Sequence, residues 1–250
     1  MNEMNLLVEF HLDGKRQGPG GEKETQQAIK LSGLSGQRGL KVADIGCGTG
    51  ASTKVLAQLL GCDITCIDLF PEFLGVLKQN FEREKWPAQV TTVVASMEEL
   101  PFVRNSLDLI WSEGAIYNIG FKKGIQEWRQ FLKPRGVLAV SEITWLTTSR
   151  PDEINDHWNK EYPEIATASE KMKLLEEAGY KILGYFPLPT TCWFENYYIP
   201  MKPRFEAFVL RHSAAREHAA QIVEAEKREI ELYEKYQAYL SYGFYIAEKV

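Results

Sequence analysis

The stretch Lys41-Val42-Ala43-Asp44-Ile45-Gly46-Cys47-Gly48-Thr49-Gly50-Ala51 decides how the rest of the chain is read. Its first five residues predict a short buried strand over 41–45, and apolar residues at helical spacing predict a helix over 51–60. Between them stand three glycines, a residue type that enters positive φ without a Cβ penalty. A strand, a glycine turn and a helix opening in immediate succession form the setting in which a glycine-rich turn meets a ligand at a helix N-terminus.

Outward from this stretch the rhythm repeats. Short apolar runs at 63–67, 89–94, 107–111 and 137–142 alternate with amphipathic stretches at 71–84 and 122–132, the pattern of a parallel sheet with helices on both faces. Pro71 falls in a first helical turn, where its missing N–H costs nothing. Lys133-Pro134-Arg135-Gly136 stops the helix before the fifth strand. Beyond it come an aromatic and acidic segment over 150–163, a helix over 167–178 and a strand over 180–188. An aromatic run at 190–203 leads into one long charged helix over 204–240 and a last strand over 242–247. Ahead of the sheet, 22–34 reads as a leading helix. The expected fold is a doubly wound, mostly parallel seven-stranded α/β sheet with an antiparallel last strand and helical insertions after strands five and six. It is read as a single domain: an N-terminal loop and helix (1–39), a cofactor-binding core (40–145), insertions that cover the substrate site (146–240) and the last strand (241–250).

Composition narrows the function. The chain has 250 residues, 44% of them hydrophobic, and a formal net charge of −5, which gives one substantial core and no broad positive field for a phosphate backbone. Nucleic acid is therefore not an expected partner. The four cysteines, Cys47, Cys62, Cys66 and Cys192, form no CxxC pair, so neither a zinc site nor a redox dithiol is expected. No apolar run approaches the roughly 20 residues of a membrane span, and residues 1–14 lack the charged start and apolar run of a secretion signal. A cytoplasmic location follows as the expectation.

Two details choose among ligands. The spacing of Gly46, Gly48 and Gly50 is G-x-G-x-G, one residue tighter than the dinucleotide fingerprint, and Asp44 stands two positions before the first glycine. A carboxylate there repels a pyrophosphate and attracts an ammonium group. S-adenosylmethionine has an ammonium, a carboxylate and no phosphate. Asp68 follows 24 residues after Asp44 at the end of the second strand, where a carboxylate can accept both ribose hydroxyls.

Residues 42–50 resemble motif I of the class I, Rossmann-like S-adenosylmethionine-dependent methyltransferases of small molecules. The resemblance extends over about 40–145. It implies that Asp44 holds the methionine amino group indirectly, that Asp68 and Leu69 meet the ribose and one adenine face, and that Met97 in Ser96-Met97-Glu98-Glu99-Leu100-Pro101-Phe102 stacks on the ring. Ser96 stands where many relatives have Asp. Leu107-Asp108-Leu109-Ile110-Trp111-Ser112-Glu113 matches the motif bordering the transferable methyl, which brings in Ser112, and Leu132-Lys133-Pro134-Arg135-Gly136 resembles the common LKPGG turn. S-adenosylhomocysteine is the implied product.

Methyl transfer from a sulfonium needs an in-line acceptor and little more, because positioning is most of the task. The loop 111–118 should border the methyl, with Glu113 as a base or an attractor of a cationic acceptor and Tyr117 as its orienter; the other reading of Glu113 is a cap on the next helix or a brace for a loop. The N-terminal stretch Lys15-Arg16-Gln17-Gly18-Pro19-Gly20 is expected to fold over the cofactor, with Arg16 near its carboxylate. Trp145, Trp158, Tyr162, Trp193, Phe194, Tyr197 and Tyr198 either form a lid over a flat or amine acceptor, pack the insertions onto the sheet, or make a homodimer contact. His11 and His157 read as packing or surface residues. Two other readings stand beside the enzyme: a protein that keeps the pocket without transferring a methyl, and a nicotinamide oxidoreductase, which Asp44 and the tight glycine spacing disfavour.

Overall fold

Strand pleating explains how the central residues divide. In a computed structural model that describes residues 3–250, β1 (Lys41–Ile45) sends Val42 to one side of the sheet and Ala43 and Ile45 to the other, as a two-residue period requires. β4 (Leu107–Glu113) alternates likewise, with Leu109 and Trp111 on the first face and Ile110 on the second. Both faces are apolar, so helices must cover both.

The helices supply that cover. On one face lie α1 (Glu3–Leu12), α2 (Glu22–Leu31), α3 (Ala51–Leu60) and α4 (Pro71–Glu84), which contribute Phe10, Ile29, Leu56 and Leu77 to the first core. On the other, α5 (Phe121–Trp128) and, later in the chain, α7 (Ala168–Glu177) contribute Ile125, Trp128 and Leu175 to the second core.

The remaining strands are β2 (Asp63–Asp68), β3 (Gln89–Val94), β5 (Leu132–Trp145), β6 (Ala166–Thr167), β7 (Tyr180–Pro187) and β8 (Leu240–Lys249), joined after β5 by α6 (Asp152–Glu161). Their order is β3-β2-β1-β4-β5-β8-β7, with β6 pairing β5. β8 runs antiparallel to both β5 and β7, as expected of the last strand. The chain winds outward from β1 to β3, then returns to place β4 on the other side of β1. That reversal leaves a crevice above the carboxyl ends of β1 and β4, where open α/β sheets bind ligands.

The departures from the expected fold are local. The described residues form eight strands, because residues 166–167 pair with Thr144 and Trp145 just before the capping box of Thr167 and Glu170 opens α7. The segment 133–136 loops out inside β5, since Leu107 pairs with Leu132 but Leu109 pairs with Val137, and Arg135 takes φ 65° there. Residues 3–12 form a helix that the sequence reading left as a non-signal segment. The long helix expected over 204–240 is broken: the chain steps through α8 (Thr190–Trp193), a π-turn (Phe194–Tyr198), α9 (Ile199–Met201) and α10 (Phe205–Arg211). His212 then leaves helical geometry at φ −100°, ψ 45°, before α11 (Arg216–Tyr236). Charge periodicity carried no sign of that break. Among the described residues, no helix is long and apolar enough to cross a membrane.

An ion pair lies inside this architecture. Lys171 Nζ on α7 sits 3.2 Å from Glu142 Oε1 on β5, both almost fully covered, and also 4.4 Å from the Phe121 ring centre. Burial pushes the carboxyl up and the ammonium down, so each ion depends on the other for its charge. Lys171→Met should therefore cost about 3–5 kcal/mol by stranding Glu142. Adding Glu142→Leu should recover most of that loss, as read by denaturant unfolding of the two variants.

Candidate functional site

The site is built on the turn after β1. Gly46, Gly48 and Gly50 take φ of 69°, 53° and 90°, which other residues enter only with strain. Space adds to the requirement. A Cβ on Gly46 would stand 2.4 Å from the Ala115 Cβ, on Gly48 2.2 Å from Gln17 Oε1, and on Gly50 2.7 Å from Leu77 Cγ. The close neighbours of all three glycines are protein atoms, so packing within the chain excludes a side chain there in addition to the positive φ.

Backbone bonds pin this turn. The N–H groups of Gly46 and Cys47 both donate to the Ile67 carbonyl, at 2.8 and 3.1 Å. Asp68 Oδ2 accepts the Gly48 N–H at 2.9 Å while its Oδ1 accepts the Phe70 N–H at 3.0 Å. Beneath, Asp44 is fully buried and its Oδ2 accepts the hydroxyls of Ser52 (2.9 Å) and Thr53 (2.7 Å). Its Oδ1 has no partner. Burial pushes this carboxyl up to about 7, against the pull of the two hydroxyls.

Above the turn opens a cleft of about 530 Å³, within the range of small-molecule and cofactor sites. Nine of the residues expected at the site line it: Arg16, Gly46, Gly48, Asp68, Leu69, Ser96, Met97, Glu113 and Tyr117. Asp44, Gly50 and Ser112 do not. Asp44 reaches the wall through Ser52, which does line it, in keeping with an indirect role. Gly50 faces Leu77 and Trp86. Ser112 corrects the expectation most directly, because its hydroxyl is fully buried without a hydrogen-bond partner and it does not line the cleft.

Leu69 is 58% exposed at one end of the cleft. At the same end, the loop after β3 is held by Trp128 Nε1, which donates to the Met97 carbonyl at 2.9 Å. At the other end Glu113 leaves the sheet with both oxygens engaged. Oε2 accepts from Arg16 Nη1 at 2.8 Å, and Oε1 accepts from Thr25 Oγ1 at 2.6 Å and Trp111 Nε1 at 3.0 Å. Three donors on one carboxylate suit an anchor, and they correct the expectation of a free base at this position. Arg16 is bound to Glu113 through Nη1 and lines the cleft.

The N-terminal segment supplies the roof, and here sequence reasoning missed residues. Met4, Leu7, Val8 and His11 of α1 line the cleft. Gln17 ties the following loop to the glycine turn: its Oε1 accepts the Thr49 N–H at 3.0 Å, and its Nε2 donates to the Gly14 carbonyl and the Thr49 hydroxyl, both at 3.1 Å. Gln17 falls within the stretch 15–20 expected over the cleft, but its bonds to the glycine turn have no sequence signal. His11 packs near Glu226 Oε1 at 3.4 Å and stacks on Tyr197. No sequence pattern joins positions 11, 197 and 226.

Most aromatic residues of the insertions are core. Trp193 stacks on Tyr233 at 4.1 Å and donates to Ser241 Oγ at 3.0 Å, and Trp145 carries Arg150 over its ring at 4.1 Å. Among the described residues, no group of acidic, histidine and cysteine side chains has the arrangement of a metal site.

Comparison with known proteins agrees with this geometry. The family of methyltransferase domains matches residues 43–140. An uncharacterized protein of Haemophilus influenzae is 30% identical over 128 residues, 50% of each chain. An O-methyltransferase of Penicillium expansum is 24% identical over 65% of this chain and 59% of its own length. The alignments thus span about half the length of these curated relatives. Among solved structures, an S-adenosylmethionine-dependent methyltransferase of Geobacter sulfurreducens in complex with S-adenosylhomocysteine superposes with a TM-score of 0.83 at 16% identity, covering 98% of both chains. That likeness shows the fold.

The buried Asp44 makes a prediction about stability and pH. In the unfolded chain an aspartate ionises near 3.9, whereas the folded chain keeps this proton up to about 7. The folded state therefore holds more protons between these values, and stability falls as pH rises through that window, then levels. Asp44→Asn should remove this part of the slope. Thermal melting of both proteins at pH 5 and pH 7.5 checks it, and an unchanged difference between the two pH values would contradict the assignment.

Proposed function

Residues 43–140 belong to the class I, Rossmann-like methyltransferases, and on that premise we propose that the chain transfers a methyl group from S-adenosylmethionine to a small-molecule acceptor. The observation that carries the reading is the set of acidic groups around the glycine turn, Asp68 in the cleft wall and Asp44 behind Ser52. The cleft offers its turn to a ligand with positive charge and hydroxyl donors, which a pyrophosphate lacks.

The residues present fit that donor. Ser52, with Asp44 behind it, would receive the methionine ammonium, whose charge would favour the ionised form of Asp44. Asp68, already oriented by the Gly48 and Phe70 N–H groups, would accept from the ribose hydroxyls. Met97 and Leu69 would enclose the adenine, with Ser96 beside them. When bound, S-adenosylmethionine supplies a methyl group activated by its sulfonium, and S-adenosylhomocysteine is what is left after transfer.

The chain's own part is placement. Glu113, Arg16 and Gln17 hold the N-terminal segment against the cleft, which would fix the placement of an acceptor beside the donor. Tyr117 stands in the wall beside Gly114 and Ala115, where its hydroxyl can orient the acceptor. A small acceptor in a cytoplasmic setting, with no nucleic acid, fits an enclosed cleft on a chain of net charge −5. Of the rings invoked for a homodimer contact, Trp193, Tyr197 and Tyr198 are buried within the chain, while Trp158 and Phe194 are half-buried.

Calorimetry with S-adenosylmethionine, S-adenosylhomocysteine and NAD tests the reading. The two sulfur ligands should bind and NAD should not; tight NAD binding without a response to either sulfur ligand would overturn it. Asp68→Ala should weaken S-adenosylhomocysteine at least about tenfold, the scale of losing one or two charge-assisted hydrogen bonds. A labelled-methyl assay over a broad acceptor panel separates transfer from binding alone, since one acceptor with multiple turnovers excludes the pocket-only alternative.

A further inference from the structure

Behind Tyr117 the cleft wall continues into a group of side chains drawn from five places in the fold. Tyr117 stands on the 3-10 turn Ile116–Asn118, His11 on α1, Tyr197 in the π-turn, Glu226 and Glu229 on α11, and Tyr242 on β8. Contacts join the group to the cleft. Gly114, in the wall, backs onto Tyr242, whose ring lies 2.8 Å from where a Cβ would stand. His11, also in the wall, stacks on Tyr197 at 6.5 Å with planes 9° apart and approaches Glu226.

The polar groups here are not satisfied from within. Tyr197 and Tyr242 are 7% and 9% exposed, yet among the described residues neither hydroxyl has a hydrogen-bond partner. Glu226 Oε2 is buried and unpartnered. Glu229 accepts the Tyr198 hydroxyl at 2.9 Å and has no ion-pair partner among the described residues. Glu229 is half-buried one turn along α11 from Glu226, and Tyr117, 41% exposed, lines the cleft itself. Through His11 and Gly114 the unsatisfied groups stand behind the wall that Tyr117 continues, and that end of the cleft forms a polar chamber.

The neighbouring cations are directed elsewhere. Lys171 is bound to Glu142, Arg16 to Glu113, and Arg204 donates to the Phe10 carbonyl at 3.0 Å with its guanidinium over the Phe10 ring. His11, near Glu226, is the remaining basic group against the chamber, and Glu142 is the remaining acid sensed by its tyrosines. Burial and the nearby Glu226 push the Glu229 carboxyl up to about 7, the response of an anion that lacks a counter-charge. Tyr198, bound to this carboxylate, packs against Tyr197 at 5.3 Å, and Tyr197 against His11 of the cleft wall, so a chain of rings joins Glu229 to the cleft.

Carboxylates accept hydrogen bonds, and ring faces attract positive charge. A ligand that satisfies both must bring cationic donors. We propose that this chamber selects the methyl acceptor, and that the acceptor is a small organic ammonium compound seated between Glu229 and the rings of Tyr117, Tyr197 and Tyr242. The proposal rests on the methyl-transfer reading of the same cleft and adds the chemical class of the acceptor.

The test uses the full chain saturated with S-adenosylhomocysteine and two isosteric probes, N,N-dimethylethanolammonium and the neutral alcohol 3-methylbutan-1-ol, followed by ligand-observed NMR titration. The ammonium probe should bind about tenfold or more tightly. Glu229→Gln, which keeps the shape and the bond from Tyr198, should abolish that preference while leaving S-adenosylhomocysteine affinity unchanged. Glu226→Gln should reduce it in the same direction and serves if the first variant does not fold. Equal or tighter binding of the alcohol, binding of neither probe, or a preference that survives both substitutions would overturn the ammonium assignment alone. Failure of the parent protein to bind S-adenosylhomocysteine would instead overturn the methyl-transfer reading.

Discussion

The Ile67 carbonyl accepts the N–H groups of both Gly46 and Cys47, and the shape of the site follows from that pair of bonds. They hold the end of β1 against the end of β2 at the moment the chain must reverse into α3. The adjacent Asp68 takes the next N–H, that of Gly48, so the turn is clamped by consecutive residues of one neighbouring strand. Because β1 lies between β2 and β4, any slip of this clamp would displace the floor of the cleft.

Charge organises the layer around that clamp. Asp44 is kept beneath the turn by two hydroxyls of α3 rather than by a cation, and Asp68 is held by backbone N–H groups alone. Neither acid is neutralised by the protein, which costs stability and leaves both able to respond to a positively charged ligand. Glu113 is the opposite case. With Arg16, Thr25 and Trp111 all bound to it, it spends its charge on fastening the N-terminal segment over the cleft. Three acids within one site thus have different work, set by whether their partners are hydroxyls, backbone groups or a guanidinium.

The insertions show the same division between packing and recognition. Trp193, Tyr198 and Tyr233 stack among themselves beneath α11 and mainly fill volume. Tyr117, Tyr197 and Tyr242 have similar chemistry but stand where the packing stops short, beside carboxyl groups that no lysine or arginine of the chain approaches within ion-pair distance. The break at His212 and the π-turn matter here, because they change the direction of the chain between β7 and α11 and let residues from positions 11, 117, 197, 226, 229 and 242 meet.

Local periodicity was enough to read the parallel core. The alternation in 41–45 and 89–94, the helical spacing in 51–60 and 71–84, and the glycine turn with its two acids all express interactions between residues near in sequence, so their signal is written in consecutive positions. The same locality explains the misses. The helix of residues 3–12, the bonds by which Gln17 reaches the glycine turn, the engagement of Glu113 and the burial of Ser112 depend on partners 32 to 97 positions away or on which face of a strand is covered. From sequence alone came the sheet, the turn and the donor it suits. The acceptor chamber was decided only in the tertiary structure, since a carboxylate becomes a recognition group when distant elements enclose it without a counter-ion, and no local pattern records that enclosure.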